Sequence, residues 1–249
     1  MINHFVQKVS VVAMMMVSVA SLIGCSASNQ ERAEDALALL KSKYSQEFIV
    51  SPSGSHNVTS SKGMLSVVAQ PADNDRIVFK AVLDKDGTLK SDTYISRIIS
   101  GHMNELLKQE LGAIGIESET YTYFADTNGK SGAETNPSIT LAQYVQAYQP
   151  SYFSGFMIVK DTSDLSPDQF EKALTAVYKA ASDRPYQVEV SVIASDQYEQ
   201  AADSFARQPD ITSGWFSDYK VLQKFDAVAD EKGYHYQITK AAQAAGDGE

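Results

Sequence analysis

The chain has 249 residues, 43% hydrophobic and 21% charged, a composition of ordinary globular material that argues against disorder and provides for one large core or two small ones. Its formal net charge of −10 and pI of about 4.9 argue against a nucleic-acid partner, because phosphate binding depends on clustered Lys and Arg. An acidic surface favours solubility and attracts cations or basic peptides.

The first segment, residues 1–8, carries Lys8 as its only Lys or Arg. Residues 9–23 (VSVVAMMMVSVASLI) are apolar apart from Ser10, Ser18 and Ser21. This run is shorter than the roughly 20 residues of a membrane span and matches the central region of a signal peptide. Leu22, Ile23, Gly24 and Cys25 follow, and Cys25 is the only cysteine of the chain. The order aliphatic, variable, small, Cys resembles the lipobox of bacterial lipoproteins. The resemblance implies cleavage between Gly24 and Cys25, removal of residues 1–24 as a signal peptide, and a diacylglyceryl group on the Cys25 thiol, whose thiolate is the acylated nucleophile. Lipid CH₂ groups, at about 0.8 kcal/mol each, then hold the protein on the membrane. The implied location is the extracytoplasmic face of the cell membrane, or the outer membrane in a diderm source, since Ser26 rather than Asp follows the cysteine. No other cofactor is expected. A buried cysteine ending a hydrophobic helix is the competing reading; the lack of a disulfide partner and the position at the cleavage point favour lipidation.

Residues 25–30 form a short tether. Ala33, Ala36, Leu37, Leu40 and Tyr44 then recur at the helical period, with Asn29 as a cap. Residues 36–50 (ALALLKSKYSQEFIV) resemble the opening helix and strand of uncharacterised small lipoproteins of monoderm bacteria. Residues 51–63 (SPSGSHNVTSSKG) read as a loop, and 64–69 and 76–83 as strands separated by a turn at 71–75. Asp84 and Asp86 beside Gly87 invite a calcium-loop reading, but the EF-hand spacing then places Val82 and Thr93 at its first and last ligand positions. Turn chemistry accounts for them better, and the same test fails at Asp126, Asn128 and Gly129.

Asp92 is expected to cap a helix over 93–111, with Ile95, Ile98, Ile99, Met103, Leu106 and Leu107 inward and Gly112 ending it. His102 and Glu105 share a side of that helix, but a metal site needs a third protein ligand that no nearby motif supplies. Residues 117–124 (ESETYTYF) alternate as a strand, with Tyr121 and Tyr123 on one face.

Residues 126–137 (DTNGKSGAETNP) read as a linker. Beyond it come helices at 141–148, 167–182 and 196–207, and strands at 153–160, 186–194, 219–229 and 234–239. Ser166, Pro167, Asp168 and Gln169 form a capping box with Pro at the first helical position. Strand, helix and strand over 153–194 predict a crossover between parallel strands, and 230–233 predicts a hairpin turn. The expected fold class is α+β, in two small lobes at 31–125 and 138–240, each with helices packed on a mixed or antiparallel sheet, followed by a frayed tail at 241–249.

No GxSxG or GxGxxG motif occurs, and no catalytic residue or metal ligand is assigned. His56, His102 and His235 remain after signal removal, with His56 in a serine-rich loop. Tyr144, Tyr148, Tyr152 and Phe153 cluster near the lobe junction, and Trp215 and Phe216 follow Gly214 in a turn-like stretch. Three readings stand. The first is a non-enzymatic module of the cell envelope that binds a protein or peptide through Trp215, Phe216, Tyr148 and Tyr152. The second is a small-molecule or metal binder using the cleft between lobes. The third is an envelope hydrolase using His56 or an acidic pair.

Overall fold

The computed structural model describes residues 29–52, 57–124 and 134–240. Helix α1 (Asn29–Tyr44) forms on the expected stripe and buries Ala33, Ala36, Leu40 and Tyr44. Strands β1 (Phe48–Val50), β2 (Val58–Ser61), β3 (Met64–Pro71), β4 (Phe79–Leu83) and β5 (Leu89–Asp92) form an antiparallel sheet in the order β1-β3-β4-β5, with β2 also on β3. Alternate residues Leu65, Val67 and Ala69 of β3 and Phe79, Ala81 and Leu83 of β4 are buried, and α1 packs on this sheet.

Two strands correct the sequence reading. Val58–Ser61, expected within a loop, pairs with β3 through a turn in which Lys62 and Gly63 have φ of 50° and 80°. Leu89–Asp92 pairs with β4, so Asp92 ends a strand. Its carboxylate still accepts the Tyr94 backbone N–H at 3.1 Å, and it also accepts the Tyr44 hydroxyl at 2.7 Å.

Helix α2 (Tyr94–Gly112) carries the chain from the first sheet to the second. The second sheet is mixed, in the order β10-β9-β8-β7-β6: β6 (Ser118–Phe124), β7 (Phe153–Lys160), β8 (Tyr186–Ile193), β9 (Val221–Asp230) and β10 (Gly233–Lys240). Only β7 and β8 are parallel, the pairing expected of a crossover; the connection contains a 3-10 turn (Pro167–Phe170) and α4 (Glu171–Ala180). At that turn the Gln169 side chain accepts the Ser166 N–H at 2.8 Å, as a capping box requires. Helices α3 (Leu141–Tyr148) and α5 (Tyr198–Ala206) complete the α+β fold.

The strand at 117–124 was expected in the first lobe; β6 is instead an edge of the second sheet, paired antiparallel with β7. Residues 126–133 of the expected linker, the tail 241–249 and residues 1–28, which hold the expected signal peptide, lie outside the described residues. One continuous core joins the two sheets. It runs from Leu40, Phe48 and Phe79 through Tyr94, Ile99 and Met103 of α2 to Phe153, Val188 and Phe225. A second core lies on the opposite face of the second sheet, where Tyr121, Ile158 and Ile193 meet Tyr198 and Phe205 of α5.

Candidate ligand cleft

Because α2 faces inward along one side only, its other side is free to wall a cavity. That cavity, of about 550 Å³, lies between α2, β6, α5 and residues 74–77. Arg97, Gly101, Glu105 and Lys108 line it from one helical row, and Ile98, His102 and Gln109 from the next. Residue 101 is glycine, and a Cβ built there meets nothing within 4 Å, so the helix presents bare backbone to the space.

Arg97 is the polar group that this geometry isolates. Its Nε donates to the Val78 carbonyl at 3.1 Å, and its Cζ lies 4.0 Å from the ring centroid of Tyr121. Nη1 is buried and makes no hydrogen bond of ordinary geometry, with the Tyr121 side chain beside the guanidinium. Desolvation pulls the guanidinium below its ordinary pKa, yet an arginine stays charged in any accessible pH range. Tyr121 is held in turn by its hydroxyl, which donates to the Pro209 carbonyl at 2.7 Å.

Ile77, Ile98, Leu106 and, from α5, Phe205 and Ala206 add apolar surface, and Asn74, Asn104 and Thr120 add polar groups. Three cations, Arg76, Arg97 and Lys108, face two carboxylates, Glu105 and Glu119, and Lys108 is paired with Glu119. A smaller hollow of about 240 Å³ continues past Arg76 and Lys108 to Asp203 and Arg207. Such a space, apolar with a few placed polar groups, is the ordinary form of a small-molecule site.

The aromatic residues singled out in the sequence do not form one patch. Phe216 is 4% exposed in the second core, packed on Phe156 and Phe205, which leaves it no surface for a partner. Trp215 is half-buried against Phe205 and Tyr219, with ring centroids at 5.0 and 4.6 Å. Tyr148 belongs to the other face of the second sheet, on Tyr144 at 4.9 Å, its hydroxyl donating to Glu134 at 2.9 Å. Tyr152 is 48% exposed and lines a shallow hollow of about 330 Å³ with Tyr123, Phe156, Glu189 and Asp226. Glu189 and Asp226 stand directly opposite each other on β8 and β9, and Lys224 bonds Glu189 at 2.7 Å. Desolvation and the Glu189 charge hold the Asp226 carboxyl above its ordinary value.

His102 and Glu105 both reach the ligand cleft, and His235 is exposed on β10. Among the described residues no group of three or more His, Cys, Asp and Glu is placed to hold a metal ion. Gly24, Cys25 and His56 lie outside the described residues. The sequence reading passed over Arg97 and Gly101. Their one signal was an arginine set among Ile95, Ile98 and Ile99, where an exposed helix face does not require so many apolar neighbours.

Comparison with protein-family models gives no match, and comparison with curated proteins gives none. Among solved structures, a crystal structure of a DUF5037 family protein from Ruminococcus gnavus is similar, with a TM-score of 0.58 at 11% identity. The match covers 81% of this chain and 93% of that one, so the two share an α+β fold. Among the described residues no helix is long and apolar enough to cross a membrane.

Proposed function

We propose that the protein is a lipid-anchored binding protein of the extracytoplasmic membrane face, and that it takes a small ligand in the cleft walled by α2, β6 and α5. The lipobox at Leu22 to Cys25 supports the anchor. The observation that carries the binding reading is the Arg97 guanidinium, buried beside a cavity of about 550 Å³ with an unmade N–H. Folded proteins seldom leave a buried donor unpaired, because its desolvation costs about 1–3 kcal/mol. A site whose partner arrives with the ligand resolves that conflict.

The test uses the full chain, expressed with its first 24 residues and extracted from membranes. Intact mass should show a chain that begins at Cys25 and carries a diacylglyceryl group; a chain that retains Met1 counts against the anchor. Native mass spectrometry should then show a small bound molecule that Gly101→Leu displaces by filling the cleft. Identical bare masses for both chains count against the binding reading.

A second reading, capture of a basic peptide segment, is favoured by the hollow around Tyr152, where an aromatic rim adjoins the Glu189 and Asp226 carboxylates. Loss of peptide binding on Tyr152→Ala, with Gly101→Leu unaffected, would select it.

A further inference from the structure

The walls of the cleft specify more than its size. In a chain of formal net charge −10, cations outnumber carboxylates around this cavity. Lys108 is occupied by Glu119, which leaves Arg97 as the deep cation and Arg76 near the mouth. Arg97 also retains part of its own surface and lines the cavity, its fork oriented by the Val78 carbonyl and the Tyr121 ring. A guanidinium pairs best with a planar carboxylate, in two parallel N–H···O bonds. Glu105 at the wall disfavours a second negative charge on the ligand. Ile77, Ile98, Leu106 and Phe205 offer hydrocarbon among polar lining groups that include His102, Asn104, Gln109 and Thr120.

Resting on the reading of the cleft as a ligand site, we infer that its ligand is a monocarboxylate with an apolar body, the carboxylate held by Arg97 and the body lying between Ile98 and Phe205. Gly101 lets that body approach the α2 backbone, since no side chain stands in the way.

The test compares three probes that share one hydrocarbon body: 4-phenylbutyrate, its neutral amide and 3-phenylpropylphosphonate. Each is titrated by NMR into the full chain, and into Arg97→Gln, Arg97→Lys and Gly101→Leu, with thermal melts to establish that each variant folds. The carboxylate should bind the wild type about tenfold more tightly than the amide, the effect of one charge-assisted pair. Arg97→Gln should abolish that preference and Arg97→Lys retain part of it. The comparison of probes on the wild type needs no variant to fold. Equal binding of carboxylate and amide, both lost in Gly101→Leu, overturns the carboxylate inference and leaves the cleft reading intact. A phosphonate that binds more tightly than the carboxylate overturns the single-charge assignment. Binding of no probe, or binding indifferent to Gly101→Leu, overturns both.

Discussion

The Cζ of Arg97 lies 4.0 Å from the ring centroid of Tyr121 while its Nε donates to the Val78 carbonyl. One side chain on α2 therefore touches the entry to β4 in the first sheet and β6 in the second. These contacts stabilise the arrangement, and burial of the charge opposes them.

That balance gives the first prediction. A charged hydrogen bond contributes about 1.5–3 kcal/mol and a cation–π contact about 0.5–2, against a desolvation cost of several kcal/mol. Arg97→Met, which keeps most of the apolar stem, should change the stability of the ligand-free protein by less than about 1 kcal/mol in urea denaturation. A loss above about 3 kcal/mol would make Arg97 a structural strut rather than a group held for a ligand.

Gly101 sits in the interior of α2 with open space where a Cβ would be. Gly101→Ala should stabilise the protein by about 0.5–1 kcal/mol, raising Tm by about 1–4 °C. An unchanged or lower Tm would show that the cavity is closed in solution.

Gly155 on β7 behaves oppositely. A Cβ there would stand 2.6 Å from the Tyr121 carbonyl oxygen and 3.3 Å from the Tyr186 hydroxyl. Backbone cannot yield as a flexible side chain can, so Gly155→Ala should cost about 3 kcal/mol and separate β6 from β7. Chemical denaturation reads the cost, and loss of amide protection along Ser118–Phe124 reads the separation.

Asp92, whose side chain is 1% exposed, accepts from Lys43 Nζ at 2.8 Å, from the Tyr44 hydroxyl at 2.7 Å and from the Tyr94 N–H. It fastens the end of α1 to the start of α2. Asp92→Ala removes the acceptor of the buried Tyr44 hydroxyl and of the Tyr94 N–H and should cost about 2–3 kcal/mol by denaturant unfolding. A cost below 1 kcal/mol would place the fastening elsewhere.

Asp226 supplies a pH signature. Its folded pKa lies above the ordinary 3.8, chiefly through desolvation and then through Glu189. The folded state therefore binds the proton more tightly than the unfolded chain. The protonated form destabilises nothing below 3.8; stability falls as pH rises from there through the folded pKa and stays lower above it. Asp226→Asn should raise stability at neutral pH by a few tenths of a kcal/mol, roughly, after solvent screening, and the gain should vanish below the unfolded value. A neutral-pH loss would contradict this sign.

Elements with strong apolar periodicity were legible in the sequence. The helix at residues 141–148 and the strand at 153–160 stand where the pattern places them. Val58–Ser61 and Leu89–Asp92 were not legible, because VTSS and LKSD are short, mostly exposed strands with no apolar alternation. β6 was legible as a strand and illegible as a neighbour. Its alternation shows which residues share a face, whereas its partner β7 is chosen by packing across the α2 core. The cleft was hidden for the same reason: Arg97, Tyr121 and Phe205 come together only after both sheets are built.

The most direct measurement follows the backbone amide resonances and the Arg97 Nε–H resonance of ¹⁵N-labelled full chain during titration with 4-phenylbutyrate. The account predicts saturable shifts at Gly101, at the Arg97 Nε–H and along β6, and none at Glu189 or Asp226. Shifts confined to the hollow around Tyr152, or shifts nowhere, would contradict it.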